Sequence, residues 1–258
     1  MAKISAKKRL QDIVALLEKE GYVSGQKLAE KYHVSMETIR KDLTYLEKIG
    51  VADKEYGGAT LASVNKERPM DYRLDKQEEK DAIARYAVSL IKGLHTLFLD
   101  SGSTCLACVP YINRLPSMDI VTNSMRAAET LDGDLHNVFL AGGRKREKNQ
   151  SLVGDWTVSF LRGVQVDACL LGTTGLLDSD GPTSHSYQEL EIKKTIVEKS
   201  DIVYILAGKE KFQEKGFHTY TDWENVDGLI TSPELSGKKY VEFSKKVQVM
   251  VSDKEVNQ

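Results

Sequence analysis

The chain has 258 residues, which is long for one average domain and short for three, so two domains are expected. Its hydrophobic fraction of 41% and charged fraction of 29% are those of an ordinary globular protein, and the absence of any run of about eighteen apolar residues excludes a membrane-spanning helix. The net charge is −2, but residues 1–61 carry eleven Lys and Arg against nine Asp and Glu, while the remainder carries 25 against 29. This asymmetry permits a nucleic-acid-binding head on an acidic body.

The first predicted helix spans Lys7 to Lys19, because its apolar residues recur at helical spacing. These residues are Leu10, Ile13, Val14 and Leu17. Gly21 follows the helix and suits the left-handed conformation that often ends one.

Two further helices are predicted, each preceded by a serine that is expected to cap it. Ser24 precedes a short helix at 26–32, and Ser35 precedes a longer one at 36–49. The buried stripe of the longer helix is expected to be Ile39, Leu43 and Leu46. The short segment His33-Val34-Ser35 forms the turn between them, and His33 tolerates a positive φ there.

Residues 51–61 contain Gly57-Gly58 and are predicted to form a β-hairpin. Helix, short helix, tight turn and helix is the arrangement that places a recognition helix in the major groove of DNA. Residues 1–62 are therefore predicted to form a winged helix-turn-helix domain, with the hairpin as its wing.

The outward face of the third helix carries the candidate DNA contacts. Arg40 and Lys41 can reach guanine edges or phosphates, and hydroxyl groups on the same face can donate to phosphate oxygens. The candidates, including two on the wing, are Ser35, Glu37, Thr38, Arg40, Lys41, Thr44, Lys48, Lys54 and Tyr56. On periodicity alone, a solvated helix surface explains this face equally well. Asp42 would repel phosphate, so we expect it to pair with a cation of the same domain, such as Arg9, and to hold the helices together.

The evidence for DNA binding by residues 1–62 goes beyond periodicity, because the sequence of this domain resembles that of the DeoR family of transcriptional regulators. The family pattern has an early Arg, then V-S-x-x-T-I-R-x-D-L-x-x-L-E-x-x-G, and a wing that ends in G-G-A. The matching positions are Arg9, Val34, Ser35, Thr38, Ile39, Arg40, Asp42, Leu43, Leu46, Glu47, Gly50, Gly57, Gly58 and Ala59. Two positions depart from it, since Gly25 replaces a β-branched residue and Tyr56 replaces His. The resemblance implies binding to a double-stranded DNA operator.

A polar segment containing Pro69, residues 63–78, is predicted to be a linker, and residues 79–258 a second domain. A helix with Ile83, Ala84, Ala87, Val88 and Ile91 on one face ends at Gly93. Strands then alternate with helices, of which 187–200 is the clearest. The predicted strands are Thr96–Leu99, Ile120–Thr122, Asn137–Ala141, Ala168–Leu171, Ile202–Ala207, Leu229–Thr231 and Val247–Val251. The pattern predicts an α/β domain with a mostly parallel sheet covered on both faces.

Small and polar residues follow several of these strands. Ligands of open α/β sheets bind beyond the carboxyl ends of the strands, where backbone N–H groups can approach an anion. The segments Ser101–Thr104, Thr122–Ser124, Gly142–Arg144 and Gly172–Gly175 are therefore expected to line one anion-binding crevice. An ordinary strand-to-helix turn would also explain the first of them.

The same segments resemble the DeoR sensor domain, which has D-x-G-S-T, V-T-N-S, G-G and D-x-x-x-x-G-x-x-G. The resemblance implies a fold similar to ribose-5-phosphate isomerase and a phosphorylated sugar as effector. The effector-binding candidates are Asp100, Ser101, Gly102, Ser103, Thr104, Thr122, Asn123, Ser124, Gly143, Arg144, Gly172 and Lys211. One departure concerns the family's A-D-x-S-K-F, because Gly208 replaces the Asp and Glu210 replaces the Ser. The identity of the effector is therefore open.

The three cysteines, Cys105, Cys108 and Cys169, are too few for a disulfide framework, and no secretory segment follows the N-terminal lysines. We expect a cytoplasmic location. Cys105 and Cys108 form a Cys-x-x-Cys at a helix start, where thiol pKa values fall, so a redox switch is one interpretation. Packing of small apolar residues is the one we favour. A zinc site would need two further ligands, and we predict no metal and no cofactor.

Two functions are compatible with these sequence features. The first is a DNA-binding repressor of a sugar catabolic operon, controlled by a phosphorylated sugar and acting as a dimer or tetramer. The second is a sugar-phosphate isomerase with an accessory head, which would need a carboxylate base. Gly172-Thr173-Thr174 stands where such isomerases have an acidic pair, and Glu189 and Glu191 share a helix with Lys193 and Lys194 that we interpret as a solvated face. We therefore predict no catalytic residue and no enzyme activity.

Overall fold

The computed structural model describes residues 4–62, 76–235 and 237–252. The chain divides into two compact units, Met1–Lys76 and Gln77–Gln258, which we call the N-terminal and C-terminal units. Of the linker predicted at 63–78, all but the last three residues lie outside the described ranges. Among the helices in those ranges, none is long and apolar enough to cross a membrane.

The N-terminal unit contains three helices and a small antiparallel sheet. In chain order its elements are α1 (Ala6–Glu20), β1 (Tyr22–Ser24), α2 (Gly25–Tyr32), α3 (Met36–Lys48), β2 (Ala52–Glu55) and β3 (Gly58–Leu61). The strands have the order β1-β3-β2, so the predicted hairpin gains a third strand. Strand β1 was not predicted, because three residues are too few to show an alternating pattern.

Local signals in the sequence fix the helix ends of this unit. Gly21 and His33 take left-handed conformations, with φ of 74° and 52°, and end α1 and α2. Ser35 caps α3 as predicted, since its Oγ accepts from the N–H of Thr38 at 3.2 Å. Ser24 precedes α2 but forms no side-chain capping bond. The predicted stripe of α3 packs with α1 and β3 in one buried core, which includes Ile13, Leu17, Ile39, Leu43, Leu46 and Ala59.

The C-terminal unit is an α/β domain, as predicted. Its helices are α4 (Gln77–Leu90), α5 (Ser103–Leu106), α6 (Val109–Ile112), α7 (Met125–Thr130), α8 (Asp155–Arg162), α9 (Tyr187–Glu198) and α10 (Gly237–Phe243). Its strands are β4 (Thr96–Leu99), β5 (Asp119–Thr122), β6 (Asn137–Leu140), β7 (Arg144–Arg146), β8 (Ser151–Val153), β9 (Val166–Gly172), β10 (Thr183–Ser184), β11 (Ser200–Ala207), β12 (His218–Thr219), β13 (Gly228–Thr231) and β14 (Val249–Val251).

Seven of these strands, which correspond to the seven predicted ones, form a parallel sheet in the order β14-β13-β11-β9-β4-β5-β6. One core, containing Phe98, Val121, Leu161 and Ile196, covers one face, and a second, containing Ile83, Leu97, Leu99 and Ile120, covers the other. The chain runs from β4 outward to β6, then returns to β9 and continues to β14. The strand order therefore reverses between β4 and β9, and ligands of such sheets bind at this kind of switch point.

Two short antiparallel pairs, β7 with β8 and β10 with β12, were not predicted. Each strand has two or three residues and lies within a polar or glycine-rich segment. Such segments carry no hydrophobic periodicity, so only tertiary contacts reveal them.

Candidate functional site

The outward face of α3 presents basic side chains to solvent. Arg40, Lys41 and Lys48 are exposed, and so are Glu37 and Thr44. The nearest acidic group on this face is Glu37, whose Oε1 lies 3.9 Å from Nζ of Lys41, at the limit of an ion pair. An exposed pair of this kind contributes little and leaves Lys41 free to exchange partners.

The wing is held against the same helix. Nζ of Lys54 donates to Oγ1 of Thr44 at 3.0 Å, and the backbone N–H of Lys54 donates to Oε1 of Glu47 at 3.2 Å. Tyr56 at the wing tip is fully exposed. Ser35 and Thr38 lie at the start of α3 with their hydroxyl oxygens 2.9 Å apart. The structure thus brings the predicted DNA-contact residues together on α3 and its wing.

A buried ion pair joins the inner side of α3, opposite the exposed face, to α1. Nε and Nη2 of Arg9 on α1 donate to the two carboxylate oxygens of Asp42 on α3, at 2.6 and 3.2 Å. The hydrogen bond with Asp42 raises the pKa of Arg9, although burial acts in the opposite direction. The predicted pairing is therefore correct, and Asp42 lies on the inner side of the helix.

Two glycines allow the wing to pack closely. A Cβ at Gly58 would lie 2.1 Å from the carbonyl oxygen of Val23, so the close pairing of β1 and β3 requires glycine there. Gly25, where the sequence departs from the family pattern, donates its N–H to the carbonyl oxygen of Gly57 at 2.8 Å. This backbone bond ties the start of α2 to the wing.

In the C-terminal unit, the switch point of the sheet holds a buried charge pair. Asp100 directly follows β4, and its Oδ2 accepts from the N–H of Gly172 at 2.9 Å and from Nζ of Lys193. The same ammonium donates to the carbonyl oxygen of Gly172 at 2.8 Å, and the hydroxyl of Tyr220 donates to that oxygen at 3.0 Å. The two central strand ends are therefore joined through Lys193.

The position of Lys193 corrects the prediction for α9. Glu189 and Lys193 are 7% and 5% exposed, so the interpretation as a solvated face is wrong for both. They lie one turn apart on the side of α9 that faces the sheet, whereas Glu191 and Lys194 are exposed. Burial acts to lower the pKa of Lys193, but the negative charges of Asp100 and Glu189 outweigh it and leave that pKa raised.

A second polar cluster adjoins the first. Nδ2 of Asn149 donates to Oγ of Ser101 at 2.9 Å and to Oε1 of Glu189. Oδ1 of Asn149 accepts from Oγ of Ser151 at 2.7 Å and from Nη1 of Arg146 at 3.0 Å. Asn149, Ser151 and Arg146 could not be identified from hydrophobic periodicity, because they belong to the short β7–β8 pair and its turn, which was not predicted.

Thr122, Asn123 and Ser124 are buried at the end of β5. Oγ1 of Thr122 donates to the carbonyl oxygen of Leu99 at 2.7 Å, and Oγ of Ser124 caps α7 by accepting from the N–H of Ala127 at 3.1 Å. Nδ2 of Asn123 donates to the carbonyl oxygen of Leu152 at 3.2 Å, while its buried Oδ1 has no partner among the described residues. All three predicted side chains therefore hydrogen-bond to the backbone around the crevice, and only Oδ1 of Asn123 is left without a partner among the described residues.

The remaining predicted residues differ in position. Gly102, Ser103 and Thr104 are half-buried around the start of α5, and Gly143 and Arg144 follow β6, where Arg144 is exposed. Lys211 lies in a 3₁₀ turn, Lys209–Phe212, and its ammonium pairs with Glu214 at 2.6 Å and Glu210 at 3.8 Å. The structure thus gives Lys211 carboxylate partners on its own segment, whereas Lys193 occupies the switch point.

The carboxylate of Glu210 folds back over Gly208. A Cβ at Gly208 would lie 2.6 Å from Oε2 of Glu210, so the space where the family's aspartate side chain begins is occupied by the glutamate.

The three cysteines are buried and free. Burial raises the pKa of all three thiols, that of Cys169 to about 12, so a lowered pKa at a helix start is the wrong expectation for Cys105 and Cys108. Both lie in the apolar core beneath α4, in agreement with the packing interpretation. Over the described ranges, no group of three or more His, Cys, Asp or Glu is placed to hold a metal ion.

Comparisons with known proteins match both units. Residues 9–65 match the DeoR-like helix-turn-helix domain, and residues 75–233 match the DeoR C-terminal sensor domain. The glycerol-3-phosphate regulon repressor of Escherichia coli (strain K12) is 32% identical over 86% of this chain and 89% of its own length. The HTH-type transcriptional regulator IolR of Bacillus subtilis (strain 168) is 29% identical over 93% of this chain and 96% of its own length.

Among solved structures, ribose-5-phosphate isomerase A from Neisseria gonorrhoeae has a TM-score of 0.39 and 15% identity, covering 53% of each chain. The relatives that match most of the chain are named as a repressor and a regulator, in agreement with the prediction that the chain is not an enzyme.

Proposed function

The chain belongs to the DeoR family of transcriptional regulators, and from this premise we propose that it represses a carbohydrate operon under the control of a phosphorylated sugar. The proposal rests on the exposed basic face of α3. Ser35 caps the N-terminus of this helix, and the Arg9–Asp42 pair attaches its inner side to α1.

The DNA contact is proposed as follows. α3 enters the major groove, where Arg40 reads a base edge and Lys41 neutralises a phosphate, while Lys54 and Tyr56 follow the backbone from the wing. Two heads that read two half-sites would need at least a dimer. The buried position of Asp42 supports this orientation, because it removes one negative charge from the face that meets DNA.

A test begins with selection of a binding sequence from a random duplex library by the full chain. The variant Arg40→Ala/Lys41→Ala should then bind the selected duplex at least about 30-fold more weakly and lower the salt dependence of binding by about one phosphate contact per head. The control Lys92→Ala/Lys245→Ala removes the same charge from exposed positions of the C-terminal unit and should change affinity less than about twofold. Equal losses in both variants would refute a specific role for α3.

The effector is proposed to bind at the switch point. An ammonium has three N–H donors, and Lys193 uses two of them on Asp100 and Gly172. The third has no hydrogen-bond acceptor among the described residues, where Nζ also lies 5.0 Å from the centre of the Tyr220 ring, and we propose that it donates to a ligand oxygen. The first turn of α5 adds backbone N–H groups that have no partner within their helix. Asp100 can accept from a sugar hydroxyl. The name of the glycerol-3-phosphate regulon repressor supports a phosphorylated compound as the effector class.

The effector test measures operator affinity in the presence of a panel of sugar phosphates, the corresponding free sugars and inorganic phosphate. A phosphorylated member should change the affinity, and its free sugar should not. Lys193→Met should abolish the response, whereas Lys194→Met, which removes an exposed charge from the next residue, should retain it. Because Lys193→Met leaves Asp100 without its cation, Asp100→Asn/Lys193→Met serves as a second variant in which no buried charge is left unpaired. A response that persists in both would place the effector elsewhere.

A further inference from the structure

Helix α8 has two apolar faces, of which only one is buried. Thr157, Val158 and Leu161 face the core of the C-terminal unit. The outward face carries Trp156, which is 81% exposed, and Phe160, which is 38% exposed, with Ser159 and Gly163 also exposed between and beyond them. These four residues recur at helical spacing, and we call them the outer face of α8.

A further exposed aromatic residue lies on the edge strand of the sheet. β6 is an edge strand, and Phe139 is 46% exposed. Phe139 pairs in register with Val121, which belongs to the same core as Val158, so Phe139 lies on the sheet face that α8 covers. Oγ1 of Thr157 donates to the carbonyl oxygen of Gly142 at 2.7 Å and ties the helix to the end of β6. Single exposed apolar residues are ordinary, but two large aromatic side chains on the outward face of one helix, Trp156 and Phe160, are typical of an interaction surface.

The charges on α8 suit a second copy of the same helix. Asp155 and Arg162 are exposed at opposite ends of α8 and, being seven residues apart, lie on one flank about 10 Å from each other. Among the ion pairs of the described residues, neither takes part. If two copies of α8 pack antiparallel about a two-fold axis, each Asp155 comes next to Arg162 of the second copy. The same register opposes the two helix dipoles.

We propose that the outer face of α8 is a docking surface for a second copy of this chain, with the two α8 helices antiparallel. A symmetric contact uses the same patch twice, so the patch must complement itself in shape and charge. In the register that places Asp155 opposite Arg162, α8 meets the charge condition, since an acid lies opposite a base on each side of the axis.

The first test is sedimentation equilibrium of the full chain without DNA. The wild type should self-associate, and Trp156→Ala/Phe160→Ala should weaken that association by about 30-fold or more, because each pair of chains loses a central aromatic anchor twice. Phe217→Ala removes an aromatic side chain that is 77% exposed elsewhere on the unit and should leave the association unchanged. A monomeric wild type would overturn the proposal. An aromatic variant with unchanged mass would do so too and would assign the face to another partner.

The second test uses the charge pair and distinguishes an antiparallel contact from unspecific stickiness. Asp155→Arg and Arg162→Asp should each weaken self-association by about tenfold or more, since each places like charges together. The double variant Asp155→Arg/Arg162→Asp restores opposite charges across the axis and should recover most of the loss. Both positions are exposed, so circular dichroism should show an unchanged fold in all three proteins. Failure of the double variant to recover would overturn the antiparallel register.

Discussion

Replacing Asp42 with alanine should destabilise the N-terminal unit strongly, because the buried guanidinium of Arg9 loses its carboxylate partner. Arg9 and Asp42 are 7% and 8% exposed, and two hydrogen bonds join their side chains. Removing one member of a buried pair costs about 3–5 kcal/mol, mostly because the other charge stays desolvated. A unit of about 60 residues has a total stability of about 3–9 kcal/mol, so the variant should lose about a third of it or more.

The two tryptophans allow this loss to be assigned to one unit. Trp156 and Trp223 both lie in the C-terminal unit, so fluorescence reports its unfolding, whereas far-ultraviolet circular dichroism reports the helices of both units. In a urea titration, Asp42→Ala should move the dichroism transition of the N-terminal unit to lower urea and leave the fluorescence midpoint in place. Following each unit separately is necessary because a two-unit chain need not unfold in one step.

A double-mutant cycle and an exposed control complete the experiment. Arg9→Met/Asp42→Leu replaces both charges with apolar groups and should cost about 2 kcal/mol less than the sum of the single variants. Asp12→Ala breaks a partly exposed pair with Lys8 and should cost less than about 1 kcal/mol. A loss below about 1 kcal/mol for Asp42→Ala, or additive losses in the cycle, would refute the reasoning.

Three further predictions concern caps, coupling and pH. Ser35→Ala should destabilise the N-terminal unit by about 1 kcal/mol, while Ser24→Ala, which removes no capping bond, should change it by a few tenths at most, as measured by urea titration with circular dichroism. Oε1 of Glu79 ties α4 to the N–H of Lys209 at 2.8 Å and to Oγ of Ser232 at 2.6 Å, and Glu79→Ala removes this acceptor. An effector should therefore shift the operator affinity of Glu79→Ala less than that of the exposed-site control Glu78→Ala. An equal shift in the two variants would contradict this coupling. Burial raises the thiol pKa values of the three cysteines above their usual value of 9.0, so the unfolded chain loses these protons first as the pH rises. The free energy of unfolding of the C-terminal unit should therefore fall above pH 9 by about 1.4 kcal/mol per thiol per pH unit. A urea midpoint, followed by fluorescence, that stays constant between pH 8 and pH 10 would contradict this prediction.

The sequence was informative wherever one local rule decides the structure. Helical spacing placed α1 and α3, and short apolar runs placed the seven strands of the main sheet. Ser35 and Gly21 marked helix ends because capping depends on a few neighbouring backbone groups. The Arg9–Asp42 pair could be predicted because a carboxylate on a helix that is expected to meet DNA needs a cation on its inner side.

The strand ends that were expected to line the crevice belong to neighbouring strands of one parallel sheet, whereas the prediction that α9 presents a solvated face was wrong for Lys193. Charge runs on helices usually face solvent, and that rule assigned Lys193 to the surface. Its burial depends on Asp100, which is 93 residues away in the chain and supplies the compensating charge. Asn149 was missed for a similar reason, because its partners Ser101 and Glu189 are 48 and 40 residues away.

The amino-acid sequence by itself determined the order of the elements, the family and the faces that are apolar, because these properties depend on spacing within a few turns or strands. The tertiary structure decided which charges are buried, which strand ends adjoin at the switch point and which apolar face of α8 remains uncovered. Those outcomes follow from contacts between distant segments, where the cost of burying a charge is offset only when a partner arrives from elsewhere in the fold.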